Sequence, residues 1–121
     1  MTHEQDFGKW GEDKAENFLS RLGYRILERN WRGAEGEIDI LAQHDEEIVV
    51  VEVKTRAEPV DGDEYIRDAQ AHRLLDAAEA WMEMRDKEAE LRCDLILVIG
   101  NSDNYRIKHI EDAWRGGPNE L

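Results

Sequence analysis

Two short segments hold the residues best suited to chemistry: Gly36-Glu37-Ile38-Asp39-Ile40 and Val51-Glu52-Val53-Lys54. Side chains alternate faces along a strand, so Glu37 and Asp39 share a face of the first, and Glu52 and Lys54 a face of the second. Paired as a hairpin, the two strands can bring Asp39, Glu52 and Lys54 together at one end of a sheet. Carboxylates at close range repel, and one is driven to hold a proton unless a cation neutralises the pair. The cation suited to such oxygen ligands is Mg²⁺ or Mn²⁺. With a lysine beside it to orient or help deprotonate water, the set has the parts for hydrolysing a phosphodiester.

Glu-x-Lys alone is a weak signal. At this composition chance supplies roughly 0.7 such triplets, and a second one, Glu12-Asp13-Lys14, falls in a helical segment. The weight lies in context, with an Asp on the preceding strand and a Glu-x-Lys strand that is otherwise apolar. The plainer reading makes Asp39, Glu52 and Lys54 the solvent face of an amphipathic hairpin with a cross-strand ion pair. Spacing leaves both open. Two helix positions bear on the choice. Glu12 borders the apolar face of the first helix and could reach over the sheet end, while Glu16 lies further round. Gln70 sits near the centre of the apolar face of the second helix, and a buried amide must find hydrogen-bond partners. It either caps a backbone group or points into the site.

The elements that must position these residues follow from periodicity. Residues 7–22 read as a helix with Phe7, Ala15, Phe18, Leu19 and Leu22 on one side and Gly23 at its end. Residues 24–30 predict a strand, followed by a loop through Gly33 and Gly36. Residues 37–43 and 48–56 are β-branched-rich strands joined by a hairpin turn at His44-Asp45-Glu46-Glu47. Pro59 and Asp61-Gly62-Asp63-Glu64 mark a loop ahead of a long helix over 65–85, whose apolar face is Ile66, Leu74, Ala77, Trp81 and Met84. Residues 92–100 and 105–110 predict two further strands, Ala113 and Trp114 dock the end of the core, and 115–121 fray. The chain reads as one α/β domain over 1–121, with its core at about 7–114 and the order α-β-β-β-α-β plus a short extra strand.

Composition bounds the function. The 121 residues carry a net charge of −13, which opposes a polyanionic partner, since affinity for phosphates rests on Lys and Arg. The charge is uneven, however. Residues 57–90 hold 11 acids against 4 bases, whereas 21–32 hold Arg21, Arg25, Arg29 and Arg32 against Glu28 alone. The excess acid with few lysines resembles proteins of a salt-rich cytoplasm. Mean hydropathy is −0.75 and apolar runs are short, so no membrane span is expected. The N-terminus lacks the pattern of a secretory signal, and the single cysteine, Cys93, forms no internal disulfide, which points to a cytoplasmic setting. His3, His44, His72 and His109 show no metal-ligand spacing, so zinc is not expected.

Four blocks taken together carry a resemblance: Gly8-x-x-Gly11-Glu12-x-x-Ala15, Gly23-Tyr24-x-Ile26-Leu27-x-Arg29-Asn30-x-Arg32, Gly36-Glu37-Ile38-Asp39, and Val51-Glu52-Val53-Lys54-Thr55-Arg56. Over residues 8 to about 114 the chain resembles the YraN family of predicted endonucleases, which is similar to the archaeal Holliday-junction resolvases of the PD-(D/E)xK nuclease superfamily. The resemblance implies a restriction-endonuclease-like core, a mixed sheet flanked by helices. It also implies Asp39 and Glu52 as metal ligands, Lys54 as the catalytic lysine, and Glu12 as the helix-borne acid that joins them at the metal. Gln70 matches the polar residue many superfamily members carry on the second core helix, where YraN relatives often have lysine.

The leading expectation is a Mg²⁺- or Mn²⁺-dependent nuclease acting on branched or otherwise structured DNA, with Glu12, Asp39, Glu52, Lys54 and Gln70 forming the site. Arg25, Arg29, Arg32 and Arg56 flank it as candidate phosphate contacts, and Trp10 and Trp31 could stack on bases. For each arginine the plainer reading is a strand-end cation paired with one of the many acids. Cutting a junction symmetrically would require a homodimer, since one domain of this size offers one site. The competing expectation is a catalytically silent module on the same fold that binds nucleic acid or a protein partner.

Overall fold

The computed structural model describes residues 3–114, so the expected fraying of 115–121 lies outside the described residues. Helix α1 (His3–Arg21) begins one turn earlier than the apolar pattern predicts. Its first turn contributes Glu4 and Asp6, whose negative charges suit a helix N-terminus, rather than core residues. Gly23, at φ 91, ends it as expected, with its N–H bonded back to the Ser20 carbonyl at 3.1 Å. Leu22, expected on the apolar side, is half exposed.

Strand β1 (Arg25–Gly33) does not stop at residue 30. Asn30 takes a positive φ of 50° and the strand runs on to Gly33, turning directly through Ala34 and Glu35 into β2 (Gly36–His44), where a longer loop was expected. A tight turn at Asp45, also left-handed (φ 54), leads to β3 (Glu47–Arg56), as the hairpin signal predicts. After the 57–67 loop, α2 (Asp68–Met84) starts later than Tyr65, because Arg67 is still extended (φ −69, ψ 151). Met82, not Met84, reaches the core; Met84 is largely exposed. Strands β4 (Glu90–Asn101) and β5 (Asn104–Ile110) complete the order.

The five strands lie in the sequence order β1-β2-β3-β4-β5, antiparallel except for the β3–β4 pair, which α2 crosses over as a parallel neighbour. This is a mixed α/β fold, one five-stranded sheet with a helix on each face; the element order is the one periodicity predicts, and the flanked mixed sheet is what the resemblance implies. Ala15 and Leu19 of α1 pack with Ile40, Ala42, Val49, Val51, Ile96 and Val98 on one face. On the other face α2 packs with Ile38, Leu41, Ile48, Val50, Leu95 and Leu97. β3 and β4 are buried on both sides, which accounts for their near-continuous apolar runs. Helix α1 approaches β3 so closely that a Cβ on Gly11 would fall 1.9 Å from the Thr55 hydroxyl, so only glycine fits there. Ala113 docks as expected, its N–H donating to the Cys93 carbonyl at 2.8 Å. No helix among the described residues is long and apolar enough to cross a membrane.

Candidate active site

The candidate site arises where the β2–β3 ladder ends. Pairing runs from His44 opposite Glu47 to Ile40 opposite Val51 and stops. One step further the register would set Asp39 against Glu52. From that point β3 is paired on one side only, with β4, through to Arg56 opposite Ile99. The Val53 N–H, left without a partner in β2, donates instead to Asp39 Oδ2 at 2.9 Å. The fork in the sheet therefore exists because an aspartate side chain replaces the next backbone acceptor, and it fixes that aspartate beside Glu52.

The pair behaves as close carboxylates must. Burial, then hydrogen bonding to Glu52 and repulsion by its charge, push the Asp39 carboxyl up to about 8, against the opposing pull of the Val53 N–H. Glu52 is held from the far side. Gln70 Nε2 on α2 donates to Glu52 Oε2 at 2.6 Å, and Gln70 Oε1 accepts from Arg73 Nη2 at 2.7 Å. Of the two readings open for Gln70, the side chain takes the second: it faces the carboxylate pair, not a backbone group. Arg73, which sets the amide's orientation, carried no spacing signal in the sequence.

Lys54 follows Glu52 on the same face of β3. Its ammonium is taken up by the 57–67 loop, with the Asp63 carbonyl at 3.2 Å, the Tyr65 carbonyl at 3.4 Å and Asp63 Oδ1 at 3.7 Å. Arg56 comes next on that face and pairs with the same carboxylate, Nε to Oδ2 at 2.8 Å. Glu52, Lys54, Asp63, Ile66 and Gln70 line a cleft of about 410 Å³ between β3, α2 and the loop. Asp63, the hub of these contacts, was not among the predicted residues; within a run of loop acids nothing local distinguishes it.

Glu12 is not brought to the pair. It lines a second cleft, of about 390 Å³, with Phe7, Gly8, Val53 and Thr55 on the α1 face of β3. Its carboxylate is bonded to Arg29 Nη2 at 3.3 Å. The two-residue period of β3 separates the two: residues 52 and 54 face α2, whereas 53 and 55 face α1. Arg29 itself is committed, pairing also with Glu16 at 2.7 Å and Asp13 at 3.3 Å. Arg32, highly exposed, pairs with Glu37 at 3.3 Å. Arg25 is exposed and lines a different groove with Glu28, Trp81 and Arg85. Trp10 is stacked on Phe7 and edge-on to Tyr105, and Trp31 packs against the α2-side core.

A hard divalent cation fits the donor set at the fork. Mg²⁺ is commonly held by one or two carboxylates, with water and phosphate oxygens completing its shell. Among the described residues no group of three or more His, Cys, Asp and Glu side chains converges on a common point, so the fit is to an open, two-carboxylate site at Asp39 and Glu52. The Cys93 thiol, pushed up to about 12 by burial and then by the Asp94 charge, is chemically quiet.

The described residues also include a buried ionic cluster that the sequence did not announce. Asp94, fully buried, accepts from Arg92 Nε at 2.8 Å and Nη2 at 2.9 Å and from the Asp112 N–H at 3.0 Å, and lies 2.8 Å from His109 Nε2. Arg92 also donates to the Tyr24 hydroxyl, and Tyr24 stacks on His44 at 4.1 Å. An acid inside an otherwise apolar strand is the one signal that could have found it.

A model of the uncharacterised protein family UPF0102 matches residues 11–98. Similar chains include a UPF0102 protein of Flavobacterium psychrophilum, 38% identical over 116 residues that cover 94% of this chain and 98% of the relative. Another, from Bacteroides thetaiotaomicron, is 38% identical over 116 residues covering 94% and 96%. A third, from Flavobacterium johnsoniae, is 36% identical over 120 residues covering 94% and 98%.

Proposed function

Given that the chain belongs to the uncharacterised protein family UPF0102, the YraN family, we propose that it is a Mg²⁺- or Mn²⁺-dependent nuclease that hydrolyses phosphodiester bonds in branched or structured DNA. The observation that carries this reading is the pair at the fork: Asp39 and Glu52, held side by side by a broken ladder, with Glu52 lining a cleft that also holds Lys54. Two carboxylates held this close need a shared proton or a cation between them, because each opposes the other's charge. When bound, a divalent ion supplies charge neutralisation for the scissile phosphate and acidifies water at neutral pH.

Around that ion each residue has a task. Asp39 and Glu52 hold it. Gln70, oriented by Arg73, fixes which way the Glu52 carboxylate points. Lys54, next along the face, orients the attacking water and offers positive charge to the phosphate. Arg56 extends the same line of cations. Glu12 sits with Arg29 on the other side of β3. The preference for branched or structured DNA rests on the resemblance to junction resolvases, and two copies would serve a symmetric cut.

One observation favours the alternative, a nucleic-acid-binding module on this fold without turnover: the Lys54 ammonium is already engaged by two loop carbonyls. A cleavage panel decides between them. Duplex, single-stranded, flap and four-way-junction DNA and RNA are incubated with Mg²⁺, Mn²⁺ or EDTA, across a salt series. Metal-dependent cleavage lost in both Asp39→Asn and Lys54→Ala is expected. Cleavage that survives both substitutions overturns the assigned site, and binding without cleavage, indifferent to EDTA, supports the silent module.

A further inference from the structure

We propose that Asp63 is an internal phosphate mimic: its carboxylate occupies an anion seat between Lys54 and Arg56 that a backbone phosphate of nucleic acid takes when it displaces the 57–67 loop. The proposal rests on the nucleic-acid reading above for the identity of the ligand, but the seat itself stands on geometry. Arg56 meets Asp63 with two nitrogens, Nε to Oδ2 at 2.8 Å and Nη2 to Oδ1 at 3.4 Å, while Lys54 lies 3.7 Å from Oδ1. A guanidinium fork closing on two oxygens is the arrangement that serves carboxylate and phosphate alike. The Asp63 side chain is only 13% exposed, and it lines the same cleft as Glu52 and Lys54.

Two features mark the contact as exchangeable. The loop is held ahead of Ile66 by polar contacts rather than apolar burial: Val60 and Tyr65 are 50% and 42% exposed, while Lys54, Arg56 and a Lys108–Glu64 pair at 2.8 Å tie it down. Gly62, at φ 86, supplies a backbone position of low steric cost next to Asp63. Electrostatics gives the seat a reason. In a chain of net charge −13, a polyanion can approach two carboxylates only along local cations, and the two cations that follow Glu52 on its strand face are Lys54 and Arg56. Asp63 holds both ready and keeps each neutralised while the cleft is empty of ligand. The free seat is then a minor state, which lowers apparent affinity by its fractional population.

The test measures binding with EDTA present, so that cleavage plays no part. Full-length wild type, Asp63→Asn and Asp63→Ser are titrated with a fluorescent DNA four-way junction by anisotropy, and with inorganic pyrophosphate by thermal shift. Both variants should bind each probe roughly three- to tenfold more tightly, with a steeper salt dependence for DNA. Arg56→Gln in the Asp63→Asn background should cancel the gain. Unchanged or weaker pyrophosphate binding in the variants overturns the seat. So does loss of folding in both, which would make Asp63 a structural tie. A gain for pyrophosphate with none for DNA supports the seat and counts against the nucleic-acid reading, so the two failures are separable.

Discussion

Asp39 is the residue on which fold and proposed chemistry meet. Its carboxylate closes the broken ladder through the Val53 N–H, and its neighbour Glu52, together with burial, opposes its charge. An amide in its place keeps an acceptor for Val53 and removes the repulsion. Asp39→Asn is therefore expected to raise the thermal midpoint at neutral pH in the absence of metal, by a margin worth about 1–3 kcal/mol. Millimolar Mg²⁺ should raise the midpoint of the wild type, because an ion that binds only the native state stabilises it, and leave the variant unmoved. Differential scanning fluorimetry with and without Mg²⁺ reads both; a variant no more stable than wild type would mean the pair is not under strain. At this scale the sequence was informative for Asp39, Glu52, Lys54 and Gln70, because strand alternation and a polar residue on an apolar helix face are local patterns. It was silent on Asp63 and Arg73, whose partners depend on how a loop and a helix settle against β3.

The elements are joined by the Asp94 cluster, one register step from Glu52 along the β3–β4 pair, which ties β4 to β5 through His109, to the chain after β5 through the Asp112 N–H, and to the start of β1 through Arg92 and Tyr24. Burial pushes the Asp94 carboxyl up, but hydrogen bonds from His109, Arg92 and the Asp112 N–H outweigh it and hold it below the ordinary carboxylate range. An acid depressed in the folded state stabilises above its unfolded pKa, and that contribution is lost as pH falls through the folded value. Wild-type stability from this cluster is therefore full at neutral pH and declines below about pH 4. Asp94→Asn should cost about 2–3 kcal/mol at pH 7, since it takes the buried carboxylate from Arg92 and His109 and leaves Arg92 to Glu47 at 3.1 Å and Glu111 at 3.8 Å, and the gap to wild type should narrow in acid. Urea unfolding at pH 7 and pH 3 measures it; a gap that stays constant would exclude the ionised cluster as its source. Element boundaries were legible where local chemistry sets them, as at Gly23 and the Asp45 turn. They were not where tertiary contacts override it: β1 continues past Asn30 because β2 offers a partner up to Gly36, and α2 starts late because the preceding loop is held by Lys54.

At the scale of the whole molecule, the net charge of −13 sets a self-repulsion that salt should relieve, since the Debye length falls to about 3 Å at 1 M. The thermal midpoint is expected to rise as KCl goes from about 0.1 to 2 M, and indifference to KCl would sink the likeness to proteins of a salt-rich cytoplasm. The sequence by itself determined the element order, the apolar face of each helix, and the strand positions of Asp39, Glu52 and Lys54. These follow from periodicity and turn residues, which act over a few positions. Only the tertiary structure decided that the β2–β3 ladder breaks one step before Asp39 and Glu52, that Glu12 pairs with Arg29 on the opposite face of β3, and that one loop carboxylate holds both Lys54 and Arg56. Each is a competition among many acids for few cations and backbone donors. Composition counts the competitors, but distance chooses among them, and distance exists only once the chain has folded.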